Sequence, residues 1–138
     1  MPQKESTLTY RWFAEVWNQG MENSIDELLA PEAVVHGIGD LSGPGPAGFK
    51  AFYHSFLNDF TNVDVDVENV ISEDGYESSR CKVNATHKTS GQTVNFSGQT
   101  TIKVKDGKIV ESWNNFDFLS MHQQLGFALM PATATALS

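Results

Sequence analysis

Apolar residues recur at helical spacing through the first sixty positions and alternate with period two through most of the remainder. Leu8, Trp12, Phe13, Val16 and Trp17 form one stripe, so residues 7–19 are predicted as an amphipathic helix capped by Thr7 and stopped at Gly20. Ser24-Ile25-Asp26-Glu27 has capping-box spacing and opens a short helix that Pro31 ends. Ala33–Gly37 reads as a short strand, and Gly39–Gly48 as a Gly/Pro-rich flap. Phe49, Phe52, Phe56, Leu57 and Phe60 mark a second long helix over residues 46–59.

Val63–Glu68 then alternates with period two, and Asp74-Gly75, Ser90-Gly91 and Asp106-Gly107 are hairpin turn pairs. They divide the rest into strands near 63–73, 76–89, 92–105 and 108–118. Strands longer than the usual ~5–6 residues predict a strongly bent sheet with bulges. One bulge belongs near Glu68-Asn69, because Val63, Val65 and Val67 are odd-numbered whereas Val70 is even. Helices followed by a meander of strands make an α+β chain, a single domain over 1–138 with 132–138 as a loose tail.

With 138 residues, 40% of them apolar, the chain can bury one real core. A net charge of −8 without a Lys/Arg cluster argues against nucleic acid and against anionic membrane surfaces. No stretch is apolar enough to span a bilayer, and the first residues lack the apolar run of a signal peptide, so a cytoplasmic protein is expected. The lone Cys81 allows no intrachain disulfide. Four scattered histidines without metal-ligand spacing argue against a metal site. The prolines of Gly43–Gly48 remove the N–H donors that a phosphate loop needs.

Register turns these elements into a candidate site. A two-residue turn at Asp106-Gly107 pairs Lys105 with Lys108, and counting back sets Thr100 opposite Trp113, Gly98 opposite Asn115 and Phe96 opposite Asp117. Val94, Phe96, Ile102 and Val104 mark the core face, so Trp113, Asn115 and Asp117 are expected there. A carboxyl group among apolar side chains loses water and gains proton affinity, which makes Asp117 the candidate general acid or base. The plainer reading is that Asp117 caps the helix that follows. A turn at Ser90-Gly91 pairs His87 with Val94, which puts His87 on the same face, roughly 12 Å from Asp117. That gap suits a small organic substrate. Asn115, His87 or a tyrosine such as Tyr10 or Tyr53 would then stabilise an enolate oxygen, Trp113, Phe96 and Trp17 would wall the pocket, and His36 would stand at its mouth.

The run Lys105-Asp106-Gly107-Lys108-Ile109-Val110-Glu111-Ser112-Trp113, then Asp117, then Gln124-Leu125-Gly126, resembles the closing pattern of the SnoaL-like polyketide cyclases of the nuclear-transport-factor-2-like superfamily. Val34-Val35-His36 before a Gly/Pro loop and Gly48-Phe49 opening the Phe-rich helix agree with it. The resemblance implies a cone-shaped α+β barrel, N-terminal helices packed on a strongly curved, mainly antiparallel sheet. It also implies a homodimer packed through the sheet, a hydrophobic pocket, and no metal, nucleotide or other cofactor. In such cyclases the aspartate matching Asp117 acts as acid/base in an aldol ring closure. The expected function is therefore cofactor-independent acid/base chemistry on a small apolar carbonyl compound. Epoxide hydrolysis ranks lower, because Arg80-Cys81-Lys82 does not supply an Arg-x-Asp relay. The alternative from a different class is a non-catalytic module that binds a small apolar ligand or a second copy.

Overall fold

The computed structural model describes residues 3–39 and 43–132. Thr7 caps the first helix as expected, its hydroxyl oxygen accepting the Tyr10 backbone N–H. This helix, α1 (Leu8–Arg11), runs straight into a π-helical stretch, Trp12–Asn18, which regular helical spacing does not predict. In that wider winding Gln19 N–H bonds to Ala14 O at 2.9 Å, an i to i+5 step. The winding aligns Trp12 with Trp17, five residues on. Gly20, at φ 67°, ends the segment.

Helix α2 (Asn23–Leu28) starts two residues before the capping-box reading requires. Ser24 therefore lies inside the helix and bonds Glu15 at 2.7 Å instead of capping. Strand β1 (Leu29–His36) follows directly and includes Pro31, which an edge strand tolerates because one side needs no donor. Helix α3 (Gly45–Asp59) takes in the second half of the expected flap, with proline in its first turn. Residues 40–42 of that loop, and 133–138 of the expected tail, lie outside the described residues. Among the described residues no helix is long and apolar enough to cross a membrane.

The long strands are β2 (Phe60–Glu73), β3 (Tyr76–His87), β4 (Thr93–Lys105) and β5 (Lys108–Phe116). They form one curved, unclosed mixed sheet in the order β1-β5-β4-β3-β2, with β1 parallel to β5 and all other pairs antiparallel. Asp74-Gly75 and Asp106-Gly107 have positive φ at both positions, which two-residue hairpin turns require. The bulge expected near Glu68-Asn69 is present: Val67 pairs with Cys81 and Asn69 with Arg80.

Two registers differ from expectation. Between β3 and β4 a four-residue turn, residues 88–91, replaces the two-residue one, so Ala85 pairs with Val94 and Val83 with Phe96. A shift of two keeps every side chain on its face but leaves His87 at the hairpin's end. Between β4 and β5 a bulge leaves Val110 unpaired: Val104 faces Ile109, whereas Lys103 faces Glu111. A one-residue slip reverses the faces. Ser112, Asn114 and Phe116 therefore point inward, and Trp113, Asn115 and Asp117 point outward. Past Phe116 the helix α4 (Phe118–Gln124) takes over as a partner of β4. The Gln124 amide accepts Asn95 N–H at 2.9 Å and donates to Asn95 O at 2.6 Å, standing in for the strand that has ended.

The core divides in two. Phe13, Phe60, Val83, Phe96 and Met121 belong to one cluster, and Val16, Ile25, Phe49, Tyr53 and Ile102 to the other, with Trp12 and Trp17 touching both. The hollow between them is the site.

Candidate ligand-binding cup

The π-helical stretch, α3 and the concave face of the sheet enclose a cavity of about 720 Å³, counted out to its open mouth. Trp12, Phe13 and Trp17 come from the π segment, Phe49, Phe52 and Phe56 from α3, and Val83, Phe96 and Phe116 from the sheet. Trp17 meets Phe49, Phe52 and Phe56 edge-on, with ring centres 6.2, 6.2 and 5.5 Å apart. Each such pair adds about 0.5–1.5 kcal/mol beyond area burial.

Among the described lining residues, Thr100, Ser112 and Asn114 carry polar side chains, Trp12 and Trp17 add indole N–H groups, and none is ionisable. Asn114 organises the first three. Its Nδ2 donates to the His36 carbonyl at 2.9 Å and to Ser112 Oγ at 3.1 Å, while its Oδ1 accepts from Thr100 Oγ1 at 2.9 Å. Next to it the chain comes very close: a Cβ on Gly37 would overlap the Asn114 carbonyl oxygen, so only glycine lets β1 end there.

Of the residues expected to form the site, Phe96 and Trp17 line the cup. Tyr53 is buried behind it and donates its hydroxyl to Val16 O at 2.9 Å; burial pushes its phenol pKa up. The other placements are corrected. Asp117 is exposed, and its carboxylate accepts Ser120 N–H at 3.0 Å as the N-cap of α4. Asn115 is exposed on the outer face. Trp113 lies on that face too, stacked on His36 with ring centres 5.7 Å apart. His36 stands there rather than at the mouth, with Nε2 2.7 Å from Glu111 Oε2. His87 lies outside the cup, tied by Nδ1 to Ser90 Oγ at 2.9 Å and tilted against Phe60. The β5 bulge explains the first three misplacements, and the longer β3–β4 turn explains His87.

Cys81 lies fully buried in the cluster behind the cup, and burial pushes its thiol up to about 11. Such a thiol stays protonated and is not a nucleophile at neutral pH. Among the described residues no three His, Cys, Asp or Glu side chains converge as metal ligands do. Reasoning from sequence missed Ser112, Asn114 and the π winding. One signal was available for the first two: Ile109 is odd, Phe116 and Phe118 are even, and a strand apolar at both ends in opposite phase must contain a bulge.

A family model described as SnoaL-like polyketide cyclase matches residues 7–125. Among solved structures, IdmH from Streptomyces antibioticus, a candidate polyketide cyclase, superposes with a TM-score of 0.78 at 24% identity, over 91% of this chain and 100% of its own. A candidate polyketide cyclase from Bacillus cereus ATCC 10987 gives 0.77 at 27% identity, over 91% of this chain and 85% of its own. AclR from Streptomyces galilaeus, a candidate hydroxylase, gives 0.75 at 23% identity, over 86% and 92%. No curated protein matches the chain.

Proposed function

The chain belongs to the SnoaL-like polyketide cyclase family, and from that premise we propose that its cup binds a small, uncharged, apolar carbonyl compound. The observation that carries this reading is the lining itself: among the described residues, aromatic and aliphatic walls, the neutral polar side chains of Thr100, Ser112 and Asn114, and no ionisable group. An uncharged ligand keeps every stabilising contact of such a site. An anionic one would bury its charge without a partner, which costs several kcal/mol.

Binding, rather than proton transfer by Asp117, is the function the geometry favours. For Asp117 to reach the cup, its carboxylate would have to leave Ser120 and pass to the opposite face of a hydrogen-bonded sheet. The test is fluorescence titration, with Trp12 and Trp17 as reporters in the wall. 2-Acetylnaphthalene should quench at low concentration and 2-naphthoate at least tenfold more weakly. Equal affinity for the two would end the reading.

We also propose that the outer face of the sheet meets a second copy of the chain. Two adjacent rows of side chains cross all five strands there: Ile71, Ser78, Thr101, Trp113 and His36, then Glu73, Tyr76, Lys103, Glu111 and Val34. Ile71 (65% exposed), Val34 (46%) and Tyr76 (41%) are large apolar side chains left to solvent, and Lys103 and Glu111, neighbours in the second row, can pair with Glu111 and Lys103 of a reversed copy. Light scattering should give a dimer, and I71K/Y76K a monomer. A monomeric parent protein would refute the proposal.

A further inference from the structure

Hydrogen-bond polarity inside the cup defines which kind of oxygen a ligand must carry. The His36 carbonyl can only accept, so the Asn114 atom beside it, 2.9 Å away, must be the amide nitrogen. That settles which end of the amide is which. Oδ1 then faces Thr100, whose hydroxyl has to donate to it. Nδ2 faces Ser112 and donates its other hydrogen to Ser112 Oγ. Ser112 is thus an acceptor toward Asn114, and its own proton is left without a protein acceptor among the described residues. Thr100 spends its proton and keeps its lone pairs.

Ser112 and Thr100 are 7% and 3% exposed, and both line the cavity. Among the described residues, the rest of the lining offers apolar side-chain atoms apart from Asn114 and the indole N–H groups of Trp12 and Trp17, which belong to the helical wall and not to the sheet. We infer that Ser112 is the specificity-determining residue of the cup: its hydroxyl is the donor that reads a ligand carbonyl oxygen, and Asn114 is the positioning residue that aims it. This deepens the small-ligand reading and rests on it. A ketone or ester satisfies Ser112, whereas a hydrocarbon of the same shape leaves its proton buried and unpaired, and that loss is what the cup discriminates.

The experiment is a two-probe titration, 2-acetylnaphthalene against 2-isopropylnaphthalene, followed by tryptophan fluorescence on the full chain. The parent protein should bind the ketone about 3- to 10-fold tighter than the hydrocarbon, the range one neutral hydrogen bond allows. Ser112→Ala should abolish that preference, with hydrocarbon affinity raised by removal of the unpaired hydroxyl, and retained binding of the hydrocarbon also shows that the cup is intact. If both probes bind equally to the parent, or Ser112→Ala keeps the preference, the assignment of Ser112 fails and cup binding stands. If neither probe binds, the cup reading itself fails and this inference with it.

Discussion

Gly98 and Phe116 face each other across β4 and β5, and the Phe116 ring lies where a side chain at position 98 would stand. A Cβ on Gly98 would overlap the ring near its root, so the ring would have to move as a whole. Phe116 is also part of the cup wall. The glycine thus shapes the pocket through its neighbour rather than through backbone conformation, since its φ is not in the left-handed region.

Gly98→Ala is therefore expected to destabilise the fold by about 1–3 kcal/mol, the usual cost of overpacking, and to weaken ligand binding by displacing the ring. Urea unfolding and probe titration measure the two effects. Adding Phe116→Leu should recover much of the stability. A Gly98→Ala protein as stable as its parent would show that the ring shifts freely.

Asp117 is predicted to act as a helix cap. Asp117→Ala should lower stability by about 0.5–2 kcal/mol, and Asp117→Asn should cost little, because asparagine caps as well as aspartate. Neither should change affinity for 2-acetylnaphthalene. A loss of binding in Asp117→Asn, with stability intact, would return this residue to the functional site.

Cys81 gives a pH prediction. Burial raises its thiol from an ordinary 9.0 to about 11, so the folded chain holds the proton more tightly than the unfolded chain. Below pH 9 both states are protonated and the difference has no effect. As pH rises from 9 to 11 the unfolded thiol ionises first, and stability falls by up to roughly 2–3 kcal/mol. Chemical unfolding across that range, compared with Cys81→Ala, isolates the effect: the parent should lose more stability than the variant. Parallel curves would contradict the assignment.

The frame of the fold could be read from the chain because apolar residues mark it. Val67 and Val70 sit in opposite phase, and the bulge between them followed from that alone. The Phe stripe of α3 and the capping position of Thr7 were equally direct. Phe96 and Trp17 were found for the same reason. The polar part of the site was obscured by a polar run. From Glu111 to Asn115 only Trp113 is large and apolar, and it stacks on His36 on the outer face, so it marks the wrong side. Nothing local distinguishes a π-helical turn from an α-helical one, since the same aromatic residues fit either winding until the sheet is packed against them.

Asn114 offers the strictest check on the cup, because its amide does two things a carboxylate cannot. Asn114→Asp keeps the shape but removes the Nδ2 donor to the His36 carbonyl and to Ser112. At neutral pH a carboxylate would then lie against a carbonyl oxygen among apolar side chains, and burial would raise its proton affinity. Once protonated, the acid regains a donor and can bond His36 O again. Its folded pKa is therefore above its unfolded value, so the fold is least perturbed below the unfolded pKa and loses stability as pH rises through the folded one. Relative to the parent, the variant should be close in stability near pH 4 and weaker by about 1–3 kcal/mol near pH 8, the cost of an unsatisfied buried polar group. Urea midpoints at the two pH values decide the matter. An Asp variant whose deficit does not change with pH would mean that position 114 is well hydrated, and that the Nδ2 donor is not what this end of the cup depends on.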